Sequence, residues 1–375
     1  MKTRDAEEAA NALLATLDKM NKALPRLNVM VLGKTGVGKS TLINNMFGER
    51  LADVGIGKPV TNSITRYEKE DFPLTIYDTP GLELDGDNSL EEIYKEITDC
   101  ISDGVKKAKR TGDMDHAVHC VWYCVNSASH RFEEAEKNFI TRITAETRRF
   151  DVPVIIVMTQ SFLKRDTKEL AQEIEKEDLG AFAVIPVLAE DYEIDEDYTV
   201  KAYGLAKLAR TMDEVIPSAL KETLAAVQKV SIRLKVTRAT AIVTMYAAAA
   251  TALARAVVVP YVDQLILYPK QIKMLAHISS VFGVNLSDEA AGAIAGTVIG
   301  DGKKINKIKG PGHIATAVLT GSIAAGMTTT LGNAYISTMV AYAKGEITEE
   351  EIGGYYGLQC GGCCGQDHRY HQADQ

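Results

Sequence analysis

Positive charge is what this 375-residue chain is short of. Its 42 Lys and Arg stand against 50 Asp and Glu, for a net charge of -8 and a pI of about 5.5. That balance excludes a chain-wide nucleic-acid footprint, and no DNA partner is expected. Cysteine is scarce as well. The six are Cys100, Cys120, Cys124, Cys360, Cys363 and Cys364, and two of them lie inside one apolar run. This is no secreted disulfide framework, and a reducing, cytoplasmic setting is expected. The opening stretch MKTRDAEEAANALLATL carries too many charges for a signal peptide. Two long stretches lack whole residue classes: residues 218–259 contain no Gly or Pro, and residues 310–343 no Asp, Glu, Lys or Arg. The rest is ordinary. With 46% hydrophobic and 25% charged residues, the chain should fold, and it is long enough for two or three domains.

The pattern of apolar residues divides the chain into four parts. In residues 1–26, Leu13, Leu14, Leu17, Met20 and Leu24 recur at helical spacing, which predicts an amphipathic helix packed on a neighbouring domain. From 27 to 217, strands and helices alternate. LNVMVLG, FPLTIYD, AVHCVWYCVN, VPVIIVMT and AFAVIPVLA are apolar enough to be covered on both faces. KSTLINNMFG, stopped by Gly48, then SLEEIYKEITDCI and AEKNFITRITAETRRF read as the helices between them. That is an α/β, doubly wound domain.

Residues 218–345 change character and predict an all-helical, hydrophobic domain. Ser218 can cap a helix, and the lack of Gly and Pro after it allows one helix of ~60 Å. Its first half carries Lys229, Arg233, Lys235 and Arg238; its second half has one charge, Arg255. The uncharged run 310–343 exceeds the ~20 residues that span a bilayer. Gly321, Gly326 and Gly332 suit close helix approach, and the basic clusters at 229–238 and 303–309 suit anionic head groups. A peripheral or inserted position at a membrane is therefore expected. The rival is a tightly packed soluble helical domain, because these runs are rich in Thr, Ser, Gly and Ala. The tail, 346–375, reads as flexible and Gly/Cys-rich. Cys360, Cys363, His368 and His371 are Zn²⁺-type donors there, at a spacing too short and glycine-rich to make a strong site.

The chemistry concentrates in GKTGVGKST, residues 33–41, which fits G-x-x-x-x-G-K-[ST]. Gly33, Gly36 and Gly38 let backbone N–H groups approach phosphates. Lys39 reaches the β and γ oxygens, Ser40 ligates Mg²⁺, and the following helix points its positive end at the charge. Lys34, Thr35, Val37 and Thr41 complete the cradle. The second signature is DTPG, at 78–81, on the same edge of the predicted sheet. Asp78 is expected to hold Mg²⁺ through water and the Gly81 N–H to sense a γ-phosphate.

Together GKTGVGKSTLINNMFG, PVT and DTPGL resemble a translation-factor-class P-loop GTPase, nearest its Era-like, septin-like and chloroplast-import or immune-associated branches. The resemblance implies GTP/GDP and Mg²⁺ as ligands and GTP hydrolysis as the reaction. It implies that Thr61 of PVT is the switch threonine, with Thr65 the runner-up. VWYCVNSASHRF and VIPVLAE also match, and place Leu188 and Ala189 in the loop that touches the base. Two positions depart from the family pattern. Where such proteins often spell N/T-K-x-D, this chain has Thr159, Gln160, Ser161 and Phe162, so the base-pairing aspartate is missing; Gln160 is expected to lie along the base. Where many place a water-orienting glutamine after the glycine of D-x-x-G, this chain has Leu82. Thr35 is the expected substitute near the γ-phosphate, with His130 and Arg131 more remote. The stretch VVPYVDQLILYPKQIKMLAHISSVFGVNLS resembles a hydrophobic helical domain of bacterial G proteins, domain of unknown function family 697, which implies membrane association. The expectation is a slow GTPase switch with Lys39, Thr61, Gly81 and Thr35 at the reacting end. It would act on a membrane-directed helical domain and form a nucleotide-dependent homodimer. The rivals are a ribosome- or RNA-associated assembly GTPase, a P-loop ATPase or kinase, and a nucleotide-dependent scaffold.

Overall fold

The computed structural model describes residues 2–48, 58–61, 64–79, 81–82, 87–129, 132–256, 263–306 and 317–361. The chain divides into two compact units: Leu24–Ser231, and a second made of Met1–Ala23 with Ile232–Gln375. The sequence places the change after residue 217 and treats the leading helix by itself. The structure moves the division to 231/232 and joins the leading helix to the C-terminal helices.

The first unit is built on a seven-stranded sheet in the order β2-β3-β4-β1-β5-β6-β7. β1 (Leu27–Gly33), β4 (Phe72–Asp78), β5 (Cys120–Asn126), β6 (Val154–Thr159) and β7 (Ala183–Pro186) run parallel. These are the five apolar runs of the sequence, and β1 is buried at every position. The edge is closed by β3 (Thr65–Lys69), antiparallel to β4, and β2 (Lys58–Pro59), antiparallel to β3. Neither shows in the hydrophobic pattern, because TRYEK is nowhere fully buried and β2 is only two residues long. The helices are α2 (Lys39–Phe47), α3 (Asp87–Thr111), α4 (Glu134–Arg148), α5 (Lys164–Lys176), α6 (Leu205–Val215) and α7 (Lys221–Val227). A small hairpin, β8 (Tyr192–Asp195) with β9 (Tyr198–Val200), follows β7. Its strands are almost wholly exposed, so they carry no core signal.

The chain leaves β1 for β4 on one side and reaches β5 on the other, so the sheet reverses its winding at β1. Ligands of open α/β sheets bind at such a reversal, beyond the carboxyl ends of the strands. Packing fixes that end. Phe47 of α2 stacks on Trp122 of β5, with centroids 5.9 Å apart and planes 1° from parallel. Gly48 ends α2 with φ 66°, and its N–H donates to the Asn44 carbonyl. Cys120 and Cys124 are free and buried as expected, and burial pushes the Cys124 thiol up to about 12.

The long uninterrupted helix does not form. Ser218–Leu220 makes a 3-10 turn whose cap position is Pro217, so Ser218 is not a cap. After α7 the chain turns, because the Gln228 side chain takes over the backbone: its Oε1 accepts from the N–H groups of Val230 and Ser231, and its Nε2 donates to the Ser231 carbonyl. A polar side chain that satisfies a turn in this way competes with the helix without any Gly or Pro.

The second unit contains α1 (Lys2–Ala23), α8 (Ile232–Ala256), α9 (Asp263–Phe282), α10 (Asp288–Asn306), α11 (Ala317–Ala343) and α12 (Ile352–Gly361). α1 buries Ala10, Leu13 and Leu17 on α9 and α10. α11 lies along α8 and needs a glycine to do so: a Cβ at Gly332 would sit 2.5 Å from Val243 Cγ2. Gly326 meets nothing within 4 Å, and Gly321's surroundings lie outside the described residues. Tyr335 is fully buried and shares a 2.7 Å hydrogen bond with Ser279. Lys235, expected in a head-group cluster, is instead buried. Its ammonium donates to the carbonyls of Phe282 at 3.0 Å and Val281 at 3.5 Å, at the end of α9. The side chains of the 303–309 cluster and the residues Cys363, His368 and His371 lie outside the described residues.

Candidate functional site

Three chain segments meet beyond the carboxyl end of β1. The first is the glycine-rich loop. Gly33 ends β1 with φ 144°, and a Cβ there would meet the Cys124 carbonyl oxygen at 2.6 Å, so only glycine fits. Gly36 and Gly38 also take positive φ, and Gly38 is the N-cap of α2 with no side chain capping the helix. The first-turn N–H groups of α2 therefore face outward without an intrahelical acceptor, and favour an anion. Lys39 is 9% exposed. Its ammonium donates to the Gly33 carbonyl at 3.1 Å and the Lys34 carbonyl at 3.3 Å, which folds the loop around it.

The second segment is the end of β4. Asp78 pairs in register with Val31 of β1 on one side and Thr65 of β3 on the other. Its Oδ1 is buried and has no hydrogen-bond partner among the described residues. Desolvation raises the carboxyl above its ordinary range, against the nearby Lys39 charge and the Thr79 N–H. Thr79 donates from its amide and hydroxyl to the Val31 carbonyl, and the Leu82 N–H donates to Gly33. These bonds draw the segment onto the loop so closely that a Cβ on Gly81 would overlap Thr35 Oγ1 at 1.7 Å. Leu82 is 1% exposed and belongs to the core, so it orients no water.

The third segment leaves β6. The Thr159 hydroxyl donates to the Val37 carbonyl, and Gln160, at φ 54°, donates from Nε2 to the Gly36 carbonyl at 3.0 Å. The three segments enclose a cavity of about 460 Å³. Thr35, Gly36, Gly38, Lys39, Ser40 and Thr41 line it from the loop and α2, Asp78, Thr79 and Gly81 from β4, and Gln160 from β6.

The other expected residues stand apart from this lining. The Thr61 hydroxyl donates to Glu96 Oε2 of α3 at 2.6 Å. The runner-up, Thr65, is the one that sits opposite Asp78. Leu188 is buried and exchanges both backbone hydrogen bonds with Tyr203, while Ala189 is half-buried. Lys34 turns away from the cavity to Glu133 at 2.8 Å and Glu136 at 3.5 Å. Burial works against its charge, but the two carboxylates outweigh it and raise its pKa. Glu136 is buried on the sheet side, where Tyr123 donates to it at 3.4 Å. These two glutamates were missed, although a run of acids opening the helix after VWYCVN is a legible partner for a loop lysine. His130 and Arg131 lie outside the described residues.

The arrangement has what a phosphate chain and a divalent cation require. There are N–H donors at a helix start, one buried cation, and a hydroxyl and an unpartnered carboxylate oxygen as hard donors. Ser40 and Asp78 thus fit Mg²⁺.

The septin family model matches residues 25–235. Neuronal-specific septin-3 of Danio rerio is 27% identical over 177 residues, 42% of this chain and 48% of that protein. Septin homolog spn2 of Schizosaccharomyces pombe is 26% identical over 197 residues, 47% of this chain and 59% of that protein. Among solved structures, the septin GTPase domain from Chlamydomonas reinhardtii is 18% identical, with 46% of this chain and 77% of that chain covered and a TM-score of 0.33. The chain spans about half the length of the curated relatives it matches.

Proposed function

Because the chain belongs to the septin family, we propose that its α/β unit binds a guanine nucleotide with Mg²⁺ and hydrolyses GTP slowly, as a switch. The observation that carries this is the meeting of Lys39 with the unpartnered Asp78 carboxylate oxygen over a glycine-built loop. Loop and α2 N–H groups would hold the α and β phosphates, and Lys39 the β and γ oxygens. Mg²⁺ held by Ser40 and Asp78 would neutralise charge on those oxygens. Water attacks the γ-phosphorus, its bond to the β–γ bridging oxygen breaks, and GDP and phosphate leave. The Gly81 N–H is the sensor of the γ-phosphate, and the Thr35 hydroxyl stands against Gly81. With a buried leucine at 82, no glutamine there orients the water, so basal turnover is slow. Thr61 would have to leave Glu96 to reach the metal, which makes Thr61 itself a moving residue of the switch.

The nucleotide state would be passed to the helical unit and expressed at an anionic membrane surface, with a second copy pairing on the G domain. Support for the membrane comes from α8. Its stretch Ile232–Leu253 is, by length and composition, apolar enough to cross a bilayer, with mean hydropathy 1.3 and about a third of its most apolar part buried. Single-turnover GTP hydrolysis tests the switch. Slow, Mg²⁺-dependent release of phosphate that vanishes in Lys39→Ala is expected; hydrolysis unchanged by Lys39→Ala refutes it. Flotation with anionic and neutral vesicles tests the membrane part, and failure to float with either refutes that part alone.

A further inference from the structure

Beside Gln160 of the phosphate cavity, Phe162 of the loop after β6 stacks on Tyr192 of β8. Phe162 and Tyr192 lie 4.5 Å apart with planes 12° from parallel. We propose that this pair seats the nucleobase, so that ring packing replaces hydrogen bonding to a carboxylate. The inference rests on the nucleotide reading above and adds how the base is held.

Four observations converge. First, Phe162 stands two residues beyond Gln160, the last side chain lining the cavity on the β6 side, and its N–H donates back to the Gln160 carbonyl at 2.9 Å. Phosphates over the glycine loop direct the rest of a nucleotide along Gln160 towards β6 and β7, at the carboxyl edge of the sheet. Second, the loop has no acid to read guanine: residues 159–163 are Thr, Gln, Ser, Phe and Leu. Ser161 is fully buried, and its hydroxyl donates to the Met158 carbonyl. Third, neither ring is buried in the core. Tyr192 is 44% exposed, and Phe162 is half-buried against it rather than in the core. Fourth, the residues next to the pair are anchored on both sides. Asp191, next to Tyr192, accepts from Lys201 Nζ and the Ala202 N–H, each at 2.8 Å. Tyr203 donates from its hydroxyl to the Ser161 carbonyl at 2.7 Å and pairs with Leu188. A fixed ring costs little to order on binding.

Every base has a π-face, so stacking is tolerant of base identity. Stacking therefore supplies affinity with little discrimination, and the preference for GDP over ADP should be smaller than a base-pairing carboxylate would give. Calorimetry on the full chain with Mg²⁺ and GDP, ADP or inorganic pyrophosphate separates the base from the phosphates. Phe162→Ala and Tyr192→Ala are each expected to weaken GDP and ADP by about 5- to 150-fold, the range of a lost base–aromatic stack, and to leave pyrophosphate unchanged. Phe162→Asp, which supplies an acceptor pair for the guanine N1–H and amino group, should shift the preference to GDP over ADP by more than about tenfold. The exposed Tyr192 guards against a folding artefact. The proposal is overturned if both alanine variants bind GDP like the wild type, or if they lose pyrophosphate equally. It is also overturned if the wild type binds GDP no more tightly than pyrophosphate. If none of the three ligands binds, the nucleotide reading itself falls, and this one with it.

Discussion

Acid should loosen the α/β unit through one residue, His119. It is 3% exposed, at the amino end of β5, beside the start of β1. Its Nδ1 accepts from the Asn28 N–H at 3.0 Å, and its Nε2 lies 3.0 Å from the Met114 carbonyl. One ring nitrogen must accept and the other donate, so the neutral Nε2–H tautomer satisfies both bonds. Protonation would set an N–H against the Asn28 N–H. Burial is the main cause of a pKa lowered from 6.5 to about 4, and the Met114 carbonyl and Asp115 oppose it. The folded state thus resists a proton that the unfolded chain accepts. Stability is complete above pH 6.5 and is lost as pH falls from there towards 4. Each tenfold change in proton affinity is worth about 1.4 kcal/mol, so the loss reaches about 2 kcal/mol at pH 5 and about 3 kcal/mol at pH 4. The chain's one tryptophan, Trp122, is on β5, so its fluorescence follows this unit alone. Urea unfolding between pH 7.5 and 5 should show the wild type converging on His119→Gln by about 2 kcal/mol. A constant gap between the two proteins across that range would refute the argument.

Gly33→Ala should destabilise the α/β unit by more than about 2 kcal/mol, because positive φ and a 2.6 Å approach to the Cys124 carbonyl combine; Trp122 fluorescence in urea reads it. Lys235→Met should cost about 2–4 kcal/mol in the helical unit, since two α9 carbonyls lose their donor, and thermal circular dichroism should show an early helical transition. The same variant should bind anionic vesicles like the wild type, because a buried ammonium offers nothing to head groups.

The parallel strands were legible because burial on both faces leaves a continuous apolar run, as in CVWYCVN. The phosphate cradle was legible because its glycines are required by backbone geometry, and the structure gives positive φ at Gly33, Gly36 and Gly38. What the sequence concealed was built by polar atoms or by long-range pairing. The Gln228 turn breaks a stretch with no Gly or Pro. The buried Lys235 imitates a surface charge, because an amphipathic stem reaches carbonyls that only the folded helices supply. α1 carries a clean helical period, but periodicity does not say which partner buries it. The Phe162–Tyr192 stack joins residues thirty positions apart, one of them on a hairpin strand that is exposed throughout, so no local pattern announces it.

The central claim is that the loop at residues 33–41 holds a nucleotide through its phosphates, and binding of GDP by Lys39→Ala tests it most directly. The wild type should bind Mg²⁺–GDP, and the variant should bind at least about 100-fold more weakly, since a charge-assisted contact to phosphate is lost and two loop carbonyls lose their shared donor. Trp122 fluorescence must show both proteins folded. A folded Lys39→Ala that binds GDP as the wild type does would contradict the account.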